Sequence, residues 1–283
     1  MKKEKPKLSR NQMKQLKLKR KTIIWGVIVT LVLVLSFLAP YFLPHDPLET
    51  NAQIMRQAPS FQHLLGTDNL GRDVLSRLLA GARTSIFATI MLVIISFIVG
   101  TVVGVICGYY GGVLDDLVMR FTDILLSVPQ LVLAIAVAGM LGGSLVNTMI
   151  AIGITSWTSY ARLGRSHAMR IRQLPFINAC RLTGCSDAHI ISTHVVPNLI
   201  GPMLVNATLE IGTTMLSIAG LSFLGLGVAP PTPEWGAMVS ESRSYLQLAP
   251  WAVFAPALAI LLTVMLFNYF GESVCDLAST KEA

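Results

Sequence analysis

The sequence predicts an all-α integral membrane protein with six transmembrane helices. Three observations carry that expectation. Only 13% of the 283 residues are charged and 53% are hydrophobic, whereas about a quarter of a soluble domain is charged. Uncharged runs cover residues 23–44, 84–114, 124–161, 188–209, 211–233 and 244–271, and a helix of about 20 apolar residues spans a bilayer core. The basic residues are also crowded at one end. Residues 1–21 hold ten Lys or Arg and one acid, Glu4, and after Lys21 no lysine occurs until Lys281. The net charge of +7 is therefore mostly a tail effect. It points to a membrane surface and a topology signal, with membrane lipid as partner and no nucleic acid.

Residues 1–22 read as a basic cytoplasmic tail and 23–43 as the first span. Its apolar core of 21 residues is longer than the roughly 7–15 of a signal peptide, and it runs into APYFLPHDP with no clear small-x-small cleavage site, so the helix is expected to stay. Residues 44–84 follow as an extracellular loop. Five more spans are expected within 85–277, near 85–108, 118–140, 145–163, 199–224 and 251–271. LGGS at 141–144 is the turn that divides the long 124–161 run. Pro197, Pro202 and GVAPPTPEWG leave room for one span between 188 and 233. Gly100, Gly104 and Gly108 form overlapping small-x-x-x-small pairs suited to close helix packing. Pro129 is expected to kink the third helix, with water or a neighbour satisfying the freed carbonyl. Cys107, Cys180, Cys185 and Cys275 are scattered and suggest no disulfide framework.

Lys and Arg in the connections set the orientation. With the basic N-terminus inside, both termini are cytoplasmic, residues 44–84 and 225–250 lie outside, and 164–198 lies inside. The inner connection holds Arg162, Arg165, Arg170, Arg172 and Arg181 against Asp187. The outer loop dissents mildly, with Arg56, Arg72, Arg77 and Arg83 balanced by Asp46, Glu49, Asp68 and Asp73.

The inner connection has a pattern of its own, NACRLTGCSDAHIISTHVVPN at 178–198. Pro175 suits the first position of a short helix through Leu182, and Gly184 ends it as a residue that tolerates positive φ. Ser186 caps a second helix with Asp187 at its positive end, and Pro197 is expected to stop it. Cys180, Cys185, His189 and His194 resemble a ligand set, but zinc motifs use closer cysteine pairs, and His189 and His194 point apart around a helix. No metal site is expected. GLSFLG, at 220–225, has no paired His in a nearby span, so no catalytic residue is expected either. Glu210 falls mid-span, where a charge costs about 2.5 kcal/mol or more. It either lines a translocation route or hydrogen-bonds a neighbouring helix. Asp123, near the inner side, has the same alternatives, with the structural one favoured. Trp235, beside Glu234 in the outer 225–250 segment, offers an amphipathic contact surface.

Ala179, Gly184 and the VPN at 196–198 resemble the EAA loop of ABC importer permeases, with Asn178 where that motif has Glu and Cys180 where it has Ala. HLLGTDNLGRDVLSRLLAGARTS at 63–85, GYYGGVLDDLVMRFTDILLSVP at 108–129, SWTSYARLGR at 156–165 and GLSFLGLGVAPPTPEWGAMV at 220–239 resemble the dipeptide, oligopeptide and nickel branch. The resemblance spans roughly residues 62–277. It implies a six-helix permease whose coupling helix seats in an ATPase subunit through Phe176, Asn178, Ala179, Cys180, Gly184, Ser186 and Pro197. It also implies a pathway near Glu210, Asp123 and Pro129, and a binding protein received outside, near Trp235 and Glu234. Two ATPase subunits, a second homologous permease and an extracellular binding protein are the implied partners. Residues 22–280 contain no lysine, which a P-loop requires, so ATP and magnesium belong to the partner ATPases and the chain itself carries no cofactor. NACRLTG and PTPEWG look more like nickel-importing members than peptide members, so nickel, free or chelated, and short peptides are both expected substrates. A self-contained secondary transporter is the alternative, which inverted repeats would support; none is evident.

Overall fold

The computed structural model describes the backbone of residues 10–282 and the side chains of 15–278. The part of the basic tail before Arg10 lies outside the described residues. Ten α-helices account for most of the described chain: α1 (Arg10–Leu38), α2 (Val74–Tyr110), α3 (Gly112–Ser127), α4 (Gln130–Leu141), α5 (Leu145–Arg172), α6 (Pro175–Leu182), α7 (Asp187–Ile190), α8 (Val196–Phe223), α9 (Trp235–Ser242) and α10 (Pro250–Glu282). The all-α membrane architecture stands as expected, with differences in how the spans are drawn.

Among the described residues, four stretches are long and apolar enough to cross a membrane: Gln15–Tyr41, Val74–Tyr110, Asp187–Phe223 and Pro250–Ala278. The span expected at 118–140 is a helix pair, α3 and α4, bent by 87° at Val128 and Pro129. It is a fifth crossing only if the pair counts as one. Pro129 thus breaks the helix where a kink was expected, because its ring excludes helical backbone at the preceding residue. The fourth expected span, α5, has the length, at 28 residues, but too much polarity to qualify on composition. Its hydroxyls are hidden by bonding to carbonyls of their own helix: Thr155 and Ser156 donate to Ile152 O, and Thr158 to Thr155 O.

Helix α2 begins eleven residues before the expected 85, at Val74. Asp73 caps it, its Oδ2 accepting from the Ser76 amide at 2.7 Å. At 37 residues it is about 55 Å long, well over the roughly 30 Å hydrocarbon layer. It therefore connects both ends of the molecule. Along its second half it lies backbone to backbone on α5. A Cβ on Gly100 would sit 2.3 Å from Trp157 O, on Gly104 2.3 Å from Ala161 O, and on Gly108 2.4 Å from Arg165 O. Any side chain at these three positions would force the helices apart. The expected close packing is thus real, and α5 is the partner. Arg165 closes the seam, its Nη2 reaching Asp115 of α3 at 2.6 Å.

The remaining helices pack around this pair. Ala134 and Ala138 of α4 meet Ala151 and Ile152 of α5 and Leu221 of α8 in one apolar cluster. Helix α1 packs on α10, with Trp25 stacked on Tyr269 and Thr22 donating to Ser273 O. It begins inside the expected basic tail and continues into the first span without a break.

At the N-terminal end of α2, residues 44–73 and α9 form a cap. Two of the arginines that spoke against an outer location, Arg72 and Arg77, are paired there. Asp68 Oδ2 accepts from Arg72 Nε at 2.6 Å, and Glu241 Oε2 accepts from Arg72 and Arg77 at 2.6 and 3.0 Å. Arg77 is 1% exposed and Arg72 2%. Two guanidiniums and two carboxylates balance. Trp251 of α10 fixes the same segment by donating to Thr67 O. The 225–250 stretch, expected outside, contains α9, whose Glu241 joins this charge cluster. Removing one member leaves an uncompensated buried charge, which typically costs 3–5 kcal/mol. Glu241 is partly solvated, so Glu241→Gln should cost the lower end of that range, about 3 kcal/mol, read as a lowered melting temperature of the purified permease. Glu49→Gln, at an exposed acid, should melt as wild type.

Candidate functional site

At the other end of α2, residues 175–197 build a short helical hairpin. Pro175 starts α6 at a position where its missing N–H is not needed. The helix closes with paired bonds from Cys185 N–H to Cys180 O and from Gly184 N–H to Arg181 O, both 3.0 Å. This is the arrangement that demands a left-handed residue between them, and Gly184 has φ +81°. Ser186 caps α7 by accepting from the His189 amide at 3.3 Å. The sequence expectation holds this far and then fails at Pro197. Proline does not stop the segment. A π-turn, Ile191–Val195, leads into α8, and Pro197 sits in the first turn of that helix, where no amide donor is required. The hairpin and the span are one run, Asp187–Phe223.

Two isoleucines fasten the hairpin to the membrane helices. Ile177 and Ile190 are fully buried in a cluster with Tyr109, Ala168, Ile171, Val195, Leu199 and Met203. Tyr109, at the end of α2, donates to Asp187 Oδ1 at 2.6 Å, and the Arg181 guanidinium lies 5.2 Å over its ring. Hydrogen bonding to Tyr109, and then the charge of the Asp187 carboxylate, raise the pKa of this guanidinium. The opposite face is bare. Phe176, Asn178, Ala179, Gly184 and Ser186 are exposed, and Leu182 is 90% exposed. Cys180 is half-buried, with Sγ 3.7 Å from His194 Nε2, while Cys185 faces Thr183. The four candidate ligands do not converge. Phe176 and Leu182 thus leave apolar side chains exposed on a short hairpin whose other face is fixed to the spans.

The other sequence candidates separate clearly. Glu210 is half-buried on α8, and its carboxylate makes no hydrogen bond or ion pair among the described residues. The alternative of a hydrogen bond to a neighbouring helix is therefore not realised. Asn206, Glu210, Thr213 and Ser217 recur at steps of four, three and four, so they form one polar stripe along α8. That periodicity was readable in the sequence, and only Glu210 was singled out from it. Asp123 lies near the C-terminal end of α3 and pairs with Arg162 of α5, which gives it a structural role. Pro129 caps the start of α4 at the break.

Trp235 and Glu234 correct the expectation of a partner contact. Trp235 is 4% exposed and donates its indole N–H to Leu78 O at 2.9 Å. Glu234 is 1% exposed and caps α9, accepting from the Gly236 and Ala237 amides and from Ser85 Oγ. Both are consumed in holding α9 against α2, and neither presents a surface. Sequence reasoning also misses Tyr109, whose link to Asp187 crosses 78 residues and has no local signal.

Residues 100–277 match the family described as binding-protein-dependent transport system inner membrane component. A glutathione transport system permease protein of Pectobacterium atrosepticum is 38% identical over 90% of this chain and 85% of its own. A dipeptide transport system permease protein of Alkalihalophilus pseudofirmus is 40% identical over 96% and 90%. A solved methionine ABC transporter in inward-facing form aligns with 68% of this chain and 94% of its own, at 16% identity and a TM-score of 0.47. The alternative of a self-contained secondary transporter falls with the family match, which requires a separate ATPase and a substrate-binding protein. The chain belongs to the binding-protein-dependent inner membrane component family, as a non-catalytic, multi-pass permease subunit of an ABC importer.

Proposed function

We propose that this chain forms half of a translocation pathway for short peptides, pairing with a second, homologous permease and driven by two ATPase subunits that hold the ATP and magnesium. The observation that carries the mechanism is the hairpin of α6 and α7: apolar and bare on one face, fixed to α2 and α8 on the other. In this reading the hairpin end is cytoplasmic, both termini lie on that side, and the cap of residues 44–73 and α9 faces outside to meet the binding protein. Residues 23–43 form the first span and 85–277 the permease core. Peptides are favoured over nickel because dipeptide and glutathione permeases stand among the relatives. The polar stripe through Asn206, Glu210, Thr213 and Ser217 supports the pathway reading. Its unpaired carboxylate would meet the cationic amino group of a peptide.

Uptake of labelled dipeptide, glutathione and nickel by cells with and without the subunit tests the substrate. A dipeptide should depend on the subunit, and Glu210→Gln should lower its uptake several-fold with the complex still assembled. Dependence of nickel uptake alone would overturn the peptide reading.

Coupling is tested at Gly184. A side chain there carries a left-handed penalty of about 1–2 kcal/mol and would also protrude into open space, since nothing lies within 4 Å. Gly184→Asp should leave the spans inserted while weakening co-purification of the ATPase or lowering uptake per ATP hydrolysed. The double change Cys185→Ser with His189→Gln should alter neither. The reverse pattern would replace docking by metal binding at this loop.

A further inference from the structure

The geometry points to a divalent-cation site of the zinc class at the opposite end of the chain, formed by His45, His63 and Asp73. Among the described residues these three are the one group of His, Cys, Asp and Glu whose ligand atoms all lie within 4.8 Å of one another. The sequence predicts no metal site, because these three residues stand at no motif spacing.

The three side chains converge from separate places. His45 follows the first span, His63 lies eighteen residues on, and Asp73 caps α2. His63 Nδ1 is 2.9 Å from Asp73 Oδ1, and His45 Nδ1 is 3.9 Å from Asp73 Oδ2. The two imidazole rings are 4.7 Å apart and inclined by 34°. Zinc binds imidazole nitrogen and carboxylate oxygen at about 2.0–2.2 Å, so neighbouring ligand atoms of a tetrahedral site stand about 3.3 Å apart. The observed separations bracket that edge.

A simple hydrogen bond accounts for only half of this arrangement. His63 and Ser76 already satisfy the Asp73 carboxylate, whose side chain is 2% exposed. His45 is too far from the acid to hydrogen-bond it, yet it is held in place. Ser76 Oγ accepts the His45 backbone N–H at 3.1 Å and donates to Asp73 Oδ2 at 2.7 Å. One serine thus fixes both the backbone of one ligand and the carboxylate of another. Such outer partners orient the ligands of metal sites. The Ser76 hydroxyl and amide engage Oδ2, which leaves Oδ1 to His63, while His45 stands nearest Oδ2.

Two imidazoles and one carboxylate suit zinc and its neighbours cobalt and nickel, and are poor for calcium or magnesium. Three protein ligands leave a fourth position. It opens to solvent on the His45 side, where that side chain is 40% exposed. Asp46 and Glu49 line the same cleft and add negative charge at its mouth. A bound ion would clip the segment 45–63 to the first turn of α2, next to the Arg72–Glu241 cluster. This inference stands whatever the transported substrate is.

The test is zinc binding to the purified permease complex, carrying an affinity tag without histidine, by equilibrium dialysis and metal analysis. Wild type should hold one zinc per permease chain. His45→Gln removes the most exposed ligand with the least risk to folding and should weaken binding by at least about tenfold. His45→Gln with His63→Gln should hold none above background. Zinc should raise the melting temperature of wild type and leave that of His45→Gln unchanged. Wild type without stoichiometric zinc, or His45→Gln binding zinc as wild type does, would overturn the site.

Discussion

The rest of the structure depends on the direct contact between the backbones of α2 and α5. In lipid there is little hydrophobic drive to bring two helices together, so packing distance decides whether they associate. Gly100, Gly104 and Gly108 remove every side chain from one face of α2 where α5 crosses it. The close approach also makes α5 tenable. That helix is too polar to stand in lipid by itself, and burial against α2 lets its hydroxyls close onto its own carbonyls. The polarity of α5 and the glycines of α2 are two halves of one solution.

Because α2 is far longer than a bilayer is thick, the same rod that holds α5 also reaches both candidate sites. Its first turn carries Asp73 and Arg77, which tie residues 44–73 and α9 into a charge-balanced cap. Its last turn carries Tyr109, which holds Asp187 at the base of the hairpin. The hairpin is fixed a second time by continuity, since α7 runs through a π-turn into α8. A load applied to Leu182 or Phe176 therefore passes into two spans without crossing a flexible joint. In the proposed coupling, displacement of the hairpin by a docked partner moves these two spans.

Much of this was legible in the sequence, and the failures have identifiable causes. The hairpin was readable because its signals are local: Pro175, Gly184 and Ser186 each act within a few residues. The glycine seam was readable as a spacing, though its partner helix was not. Single spans were misdrawn where a local rule met a tertiary one. Pro197 was expected to end a helix, but a π-turn let it begin one. Pro129 was expected to bend a helix and instead broke it. Trp235 and Glu234 read as surface residues of an outer segment of 26 residues; Glu241 of α9 pairs with the buried charges of Arg72 and Arg77, and no window of sequence shows that pairing. His45, His63 and Asp73 are spread over 29 residues of the same segment, at no motif spacing, and only the fold assembles them.

The most direct measurement is a size series at Gly104, in the middle of the seam, far from the exposed face of the hairpin and from the cap. Gly104→Ala and Gly104→Val are assembled with the partner subunits, and melting temperature and uptake per ATP hydrolysed are followed together. Overpacking at a backbone contact costs about 1–3 kcal/mol. The account predicts that both quantities fall from Gly to Ala to Val, because separating α2 from α5 displaces Tyr109 from Asp187. Gly139→Ala on α4, where nothing lies within 4 Å, should change neither. A Gly104→Val permease that melts and couples as wild type would contradict the claim that this contact holds the two ends of the molecule together.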